Sequence, residues 1–320
     1  MDRNLLQQVR QRLEGAQRIL IASHVRPDGD AVCSVLGLGL ALQTQGKQVQ
    51  MVLADGVPAG FEHLAGVEQI VRRAASPVDL VVSVDAAAPD RMGGALSGFS
   101  QADINIDHHV TNTRFATINI IDPGSVATCA MLAEAFPELG LSFSPAVVDA
   151  LLTGLLTDTM GLHTSNMNPQ ALRIAADLVE KGADLPMLYE RALLRRSFEA
   201  LRYWGAGLSK LQREGGLVWT SLSLAERKAS GYTANDDAEL VNNVAFVAGA
   251  VIVVLFIEQV NNEVKISWRS QGDVDVSKIA AQFAGGGHVP AAGAVVQGSL
   301  EEVQHRVLQA TRAVLQSVPV

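Results

Sequence analysis

Acidic and histidine side chains gather at the ends of apolar runs in four places. His24-Val25-Arg26-Pro27-Asp28-Gly29-Asp30 follows the strand-like Arg18-Ile19-Leu20-Ile21-Ala22. Asp85 ends the run Val78 to Val84, Asp107-His108-His109 ends Ile104-Asn105-Ile106, and Asp158 closes the stretch Ala150 to Thr157. Gly29 permits a tight turn, so His24, Asp28 and Asp30 can converge from one loop. Carboxylate together with imidazole suits a borderline-hard divalent ion. With Asp85, Asp107, His108, His109 and Asp158 added, the donors exceed what one ion needs. Two ions sharing a carboxylate fit the number better, and such a pair can clamp a phosphoryl group and generate hydroxide near neutral pH. Asp85, a lone aspartate at a strand end near the middle of the expected sheet, is the expected bridge. Taken singly, Asp28 and Asp85 would read as helix caps and the two histidines as a polar strand end. The four together point to chemistry.

The second half of the chain offers Ala284-Gly285-Gly286-Gly287-His288, whose glycine run could form a nest of backbone N–H groups for a phosphate or ribose oxygen, or be a plain loop. In Lys265-Ile266-Ser267-Trp268-Arg269-Ser270, strand alternation places Lys265, Ser267 and Arg269 on one face, opposite Ile266 and Trp268. Arg269 could then grip a phosphate bidentately while Trp268 packs inside.

The elements that must hold these residues alternate short apolar runs with amphipathic stretches from Leu5 to about Ala183, the pattern of a mostly parallel sheet. Catalytic groups in such sheets lie past the carboxyl ends of strands, and three of the four clusters do so. Asp158 instead follows an expected helix opening at Ser144-Pro145. The expected fold class is α/β. An N-terminal parallel-sheet domain with flanking helices spans 1–184, and a helical linker running from Asp184-Leu185-Pro186 through Arg191, Arg195 and Arg196 to about Arg213 fills 185–215. A smaller C-terminal α+β domain spans 216–320, with Asn261-Asn262 as a hairpin turn.

At 320 residues, 48% hydrophobic and 18% charged, the chain has the size and balance of two globular domains. Its N-terminus carries no apolar signal segment. The longest apolar run, Val244 to Ile257, is too short to span a bilayer and reads as a buried strand. Cys33 and Cys129, the only cysteines, suit a reducing cytoplasm as core thiols. A net charge of −8 argues against coating duplex nucleic acid through a broad basic face, but not against small anionic substrates. The apolar helix after Ser144 could serve a homodimer or the core equally well.

His24-x-x-Pro27-Asp28-Gly29-Asp30, Asp85, Asn105-Ile106-Asp107-His108-His109 and Thr157-Asp158-Thr159 resemble the successive motifs of the DHH phosphoesterase superfamily. Glu239-Leu240-Val241-Asn242-Asn243, the Lys265 to Ser270 strand and Gly285-Gly286-Gly287-His288 resemble its associated C-terminal substrate-binding domain. Within the superfamily the arrangement is most similar to the bifunctional oligoribonuclease and 3′-phosphoadenosine-5′-phosphate (pAp) phosphatase group, the nano-RNases. The resemblance implies two Mn2+ ions, one on His24 and Asp28, the other on Asp30, His108 and Asp158, with Asp85 bridging. It also implies that Asp107 orients the histidine pair and that His109 faces the scissile phosphate. Arg269, Ser270 and the segment Gly285 to His288 would take the nucleotide's terminal phosphate and base, the domains closing on a short substrate. The implied reaction releases nucleoside monophosphates from short single-stranded RNA, or AMP from pAp. Linear or cyclic dinucleotides are the alternative substrates, and an inactive nucleotide-binding module is the alternative of another class. The sequence departs from the family pattern at Arg26, Cys33, His163 and Ala284, none of them an expected ligand.

Overall fold

The computed structural model describes residues 1–75, 77–99, 101–272 and 274–316. It divides into two compact units, Met1–Arg195 and Arg196–Val320. In the first, strands β1 (Arg18–Ala22), β2 (Gln48–Val52), β3 (Ile70–Val71), β4 (Leu80–Val84), β5 (Ile104–Asp107) and β6 (Ile118–Ile121) form one sheet in the order β3-β2-β1-β4-β5-β6. Every pairing is parallel. The near-continuous apolar runs of β1 and β4 follow from this, since strands inside a parallel sheet are covered on both faces. Asp79, just before β4, accepts from the backbone N–H of Arg18 at 2.8 Å and ion-pairs with its guanidinium, pinning the starts of the two central strands together.

The helices of this unit are α1 (Arg3–Gly15), α2 (Gly29–Thr44), α3 (Thr128–Leu139), α4 (Pro145–Asp158), α5 (Pro169–Glu180) and α6 (Leu185–Tyr189). Ser144 caps α4 by accepting from Val147 N–H, with Pro145 in the first turn, as the sequence indicates. The apolar residues of α2 and α4 are buried nearly all round. The helix after Ser144 is therefore core, and its apolar residues form no open dimer face.

Two expectations are corrected. The linker is not one helix: α6 runs into a short π turn over Glu190–Leu194, Arg195 is extended, and Ser197 caps a new helix, α7 (Phe198–Leu208). The 185–215 segment is thus divided between the units, and its end is a strand, β7 (Gln212–Glu214). The run Val244 to Ile257 is not one strand either, because Gly249 takes a φ of +73° between α9 (Leu240–Val244) and β9 (Ile252–Gln259).

In the second unit β7, β8 (Leu217–Leu222), β9, β10 (Glu263–Ser270), β11 (Gly286–His288) and β12 (Ala291–Gln297) make a sheet ordered β11-β12-β10-β9-β8-β7. Only β8 and β9 pair in parallel. Helices α10 (Ser277–Ala281) and α11 (Leu300–Gln316) cover one face, where Trp268 is fully buried, and α7 and α9 contribute to the other. Helix α8 (Leu224–Ser230) follows β8 and opens on a capping box of Ser223 and Glu226. Asn261 and Asn262 make the β9–β10 turn with φ of +63° and +58°, a conformation asparagine tolerates. Among the described residues no helix is long and apolar enough to cross a membrane.

The close packing behind the carboxylate clusters rests on Gly154 of α4. A Cβ there would stand 2.2 Å from Cys129 Sγ and 2.9 Å from Cys33 Cβ. Alanine gains about 1 kcal/mol of helix propensity at such a position, but overpacking a core costs about 1–3 kcal/mol. Gly154→Ala is expected to lower the urea midpoint. Gly15→Ala, with nothing within 4 Å of its Cβ, serves as the control that does not.

Candidate active site

The strand order reverses direction between β1 and β4, and a crevice opens at the carboxyl ends of strands at such a switch point. His24 follows β1, Asp85 follows β4, and Asp107 ends β5 ahead of His108 and His109. Two helices complete the cluster. Asp28 is the N-cap of α2 with Asp30 in its first turn, and Asp158 ends α4. Asp28 caps the helix and faces the cluster at once: one carboxylate oxygen accepts from Ala31 N–H at 3.1 Å while the other lies 3.9 Å from His24 Nε2.

Asp85 stands in the middle. Its Oδ2 lies 3.6 Å from His24 Nε2, and its Oδ1 lies 3.7 Å from His108 Nε2 and 3.8 Å from His109 Nδ1. Three overlapping donor triads result: His24, Asp28 and Asp85; Asp30, His108 and Asp158; and Asp85, His108 and His109, with donor atoms in each within 4.8 Å of one another. The tautomers suit this role. His24 Nδ1 is 2.9 Å from the Val25 carbonyl and His108 Nδ1 is 3.3 Å from that of Ser125, so both rings donate from Nδ1 and turn Nε2 toward the carboxylates.

The backbone of Asp85 takes a φ of +52°, uncommon for a residue with a side chain. The turn is held by its own N–H donating to Ile106 O at 2.9 Å and by Ser23 Oγ donating to its carbonyl at 3.3 Å. Thr128 Oγ1 donates to Asp85 Oδ1 at 3.0 Å, and the backbone N–H groups of Thr128 and Cys129, at the start of α3, donate to Asp30 at 2.6 and 2.9 Å. A helix N-terminus thus faces this buried carboxylate, offsetting part of its charge.

Asp107 reaches one histidine of the pair, not both: its Oδ1 is 2.7 Å from His109 Nδ1. Asn112 donates to the other oxygen of Asp107 at 2.5 Å and to Asn105 at 2.8 Å, fixing that carboxylate in place. Thr128 and Asn112 were not found by sequence reasoning. Thr128 lies between apolar residues with no spacing that links it to the acidic motifs, and Asn112 reads as an ordinary loop asparagine.

Crowding shows in the protonation equilibria. Burial, with the negative charge of Asp85 adding to it, drives Asp28 up and Asp30 well above the usual carboxylate range. Asp158 is pushed up to about 7, by burial first. Asp85 alone goes down: burial works to raise it, but the His24 imidazole and the charges of His108 and His109 outweigh it. The bond to Asp107 raises His109 to about 9.

In the second unit, Arg269 Nε and Nη2 both donate to Asn242 Oδ1, at 3.2 and 3.0 Å, and Nη1 donates to the Trp268 carbonyl at 3.0 Å. Three of its five N–H groups are used, all by neutral acceptors. Burial lowers its pKa, the direction expected of a cation short of countercharge. Ser270 is spent internally, its hydroxyl lying within 2.5 Å of the Val274 carbonyl. The expected glycine loop is instead an exposed edge strand, β11. A Cβ at Gly285 would come 2.3 Å from Gly293 O, and one at Gly287, where φ is +148°, 2.4 Å from Ala291 O. These two glycines therefore serve close strand pairing with β12.

The DHH family N-terminal domain matches residues 18–155, and the DHHA1 domain matches 221–317. The bifunctional oligoribonuclease and PAP phosphatase NrnA of Thermus thermophilus is 36% identical, over 96% of this chain and 93% of its own. That of Bacillus subtilis is 23% identical over 87% of this chain and 89% of its own. A crystal structure of an exopolyphosphatase-related protein from Bacteroides fragilis superposes with a TM-score of 0.90 at 25% identity, covering 99% of this chain and 96% of that one.

Divalent ions need ionised carboxylates, so binding to this cluster must displace the Asp158 proton below about pH 7. Calorimetry of Mn2+ binding at pH 6, in buffers of different ionisation heat, is expected to show proton release, with affinity rising toward pH 7. Proton-neutral binding at pH 6 would contradict it. For the metal-free protein the sign is opposite. A carboxyl raised in the folded state contributes stability in acid that is lost as the pH rises from about 4 to about 7.

Proposed function

The chain belongs to the DHH family, and from that premise we propose that it is a manganese-dependent phosphoesterase. Its substrates are short single-stranded oligoribonucleotides, hydrolysed to nucleoside monophosphates, and pAp, hydrolysed to AMP. The observation that carries this reading is the placement of Asp85, whose two oxygens face His24 on one side and His108 on the other, inside a set of acidic and imidazole donors. Both NrnA relatives named above are bifunctional oligoribonucleases and PAP phosphatases.

The residues fit a pair of ions. His24 and Asp28 would hold one, Asp30, His108 and Asp158 the other, and Asp85 both. Carboxylates outnumber imidazoles in this set, which favours an oxygen-seeking ion such as Mn2+. Bound there, the ions supply Lewis-acid polarisation of the phosphoryl group and an activated water. The chain's own groups do the rest. Asp107, fixed by Asn112, holds Nδ1–H of His109 and favours the protonated ring, which would let it donate to a phosphoryl oxygen as charge builds there. Ser125 and Val25 carbonyls hold His108 and His24 with Nε2 free for coordination. In the second unit Arg269 would take the nucleotide's terminal phosphate with its two unused N–H groups. The exposed Gly286, Gly287 and His288, beside Gly285, would offer backbone donors to the same ligand, and Ser270 would hold the loop between β10 and α10 in shape. The buried free thiols of Cys33 and Cys129 support a cytoplasmic setting.

The decisive experiment is hydrolysis of pAp and of 5′-phosphorylated RNAs from dinucleotide to long strand, with Mn2+ and with chelator. Mn2+-dependent turnover that falls with length is expected. Binding of Mn2+ without turnover of any of these substrates would overturn the reading and turn attention to dinucleotide phosphodiesters. Asp85→Asn should abolish turnover while the thermal midpoint of the metal-free protein is kept. Arg269→Lys should raise KM for pAp by ~10- to 100-fold with kcat little changed, the loss of a charge-assisted bond of ~1.5–3 kcal/mol. A fall confined to kcat would contradict a ground-state phosphate contact.

A further inference from the structure

The loop that carries His24 has a second side that the chemistry above does not use. Val25 packs over Gly93, where a Cβ would meet its Cγ1 at 2.3 Å, and lines a cleft of about 500 Å3 together with Asp55, Arg72, Arg73, Gly94 and Ser97. None of the acidic or histidine donors of the catalytic cluster lines this cleft. It adjoins them through the chain itself, since Val25 follows His24 and its carbonyl accepts the His24 Nδ1 proton.

The charges are one-sided. Arg10, Arg12 and Arg18 each have a carboxylate partner, whereas Arg72 and Arg73 have none among the described residues. Asp55, the cleft's acidic residue, has one oxygen engaged by the backbone N–H of Arg26 at 2.6 Å. The Arg72 guanidinium lies beside Gly56, where a Cβ would come 2.9 Å from Nη2. Two guanidinium groups with no ion pair among the described residues, set against a single carboxylate, together with a serine hydroxyl and glycine backbone in one concavity, are donors that can grip phosphate oxygens without reading bases.

We propose that this cleft is a phosphate subsite for the nucleotide chain, holding a backbone phosphate of a substrate that extends beyond the bond being cleaved. The assignment of that chain as substrate rests on the function proposed above; the chemistry of the cleft does not. The subsite makes oligonucleotides of three or more residues bind through contacts that pAp does not make.

The test compares wild type with Arg72→Ala/Arg73→Ala and Arg72→Lys/Arg73→Lys. Binding of a fluorescent 5′-phosphorylated tetranucleotide and of pAp is measured in chelator, where no hydrolysis occurs, and pAp turnover is measured with Mn2+. The alanine pair is expected to weaken tetranucleotide binding by ~10-fold or more and to make its log affinity against log salt shallower by about 1.4, two contacts at about 0.7 each for a single strand. It should leave pAp binding and turnover unchanged, and the lysine pair should keep most of the salt slope. A free nucleotide as the occupant would show instead as AMP displacing the tetranucleotide from wild type but not from the alanine pair. Equal weakening toward tetranucleotide and pAp, or no change in either binding or AMP competition, overturns the proposal. Arginine-dependent binding by a wild-type protein that hydrolyses nothing would sink the proposed function and leave the cleft standing. Normal hydrolysis of the tetranucleotide by the alanine pair, with wild-type affinity, would do the reverse.

Discussion

Four aspartates converge on one small crevice, Asp30 and Asp85 buried, Asp158 half-buried and Asp28 at its open edge, and like charges so close together cannot all ionise without compensation. Much of the first unit can be understood as the means by which that arrangement is held. The sheet delivers Asp85 and the histidines at neighbouring strand ends, α3 points its N-terminus at Asp30, and Thr128 lends its hydroxyl to Asp85. These neutral donors are too few for four negative charges, and the raised affinities of Asp28, Asp30 and Asp158 for protons record the deficit. A cluster in this condition takes up either protons or divalent cations. The histidines, tied at Nδ1 by backbone carbonyls, tilt the balance toward cations by offering lone pairs where a merely acidic cluster would offer only charge.

The backbone shares in this. Asp85 leaves β4 in the left-handed region, a turn held by Ile106 and Ser23, and from there its two oxygens face His24 on one side and His108 on the other. Arg26, two residues past His24, is in the same uncommon region and is tied by Asp55. Strained turns after two adjacent strands, β1 and β4, mark the switch point as the place where local preference yields to the geometry of the site.

The clusters were legible because each stood at the end of an apolar run, and a parallel sheet turns that one-dimensional fact into three-dimensional proximity. The central position of Asp85 and the helix ending at Asp158 could be read the same way, the latter from Ser144-Pro145. What was not legible depends on pairings between distant segments. Thr128 meets Asp30 across 98 positions of sequence, and nothing near it announces the contact. The glycine run looked like a loop because flexibility is its local signal, whereas its place in the sheet comes from the close approach of β12. The linker looked continuous because its helical periodicity carries across Arg195. Ser197, a residue suited to capping, was the one sign of a fresh start, and Gly249 played the corresponding part inside the Val244 to Ile257 run.

The two units carry complementary deficits of charge. The first has an excess of buried negative groups, while the second has a guanidinium, Arg269, that burial deprives of water and that Asn242 and a carbonyl can hold but not neutralise. A phosphate ester is the kind of molecule that answers both: its anionic oxygens satisfy an unpaired arginine directly, and they satisfy a carboxylate cluster only once cations have reversed its sign. On these charges the carboxylate cluster itself would take a phosphate only after cations, whereas a guanidinium such as that of Arg269 has no such requirement. A net charge of −8 is thus compatible with action on phosphate esters, because the negative charge of the cluster is what divalent cations would offset.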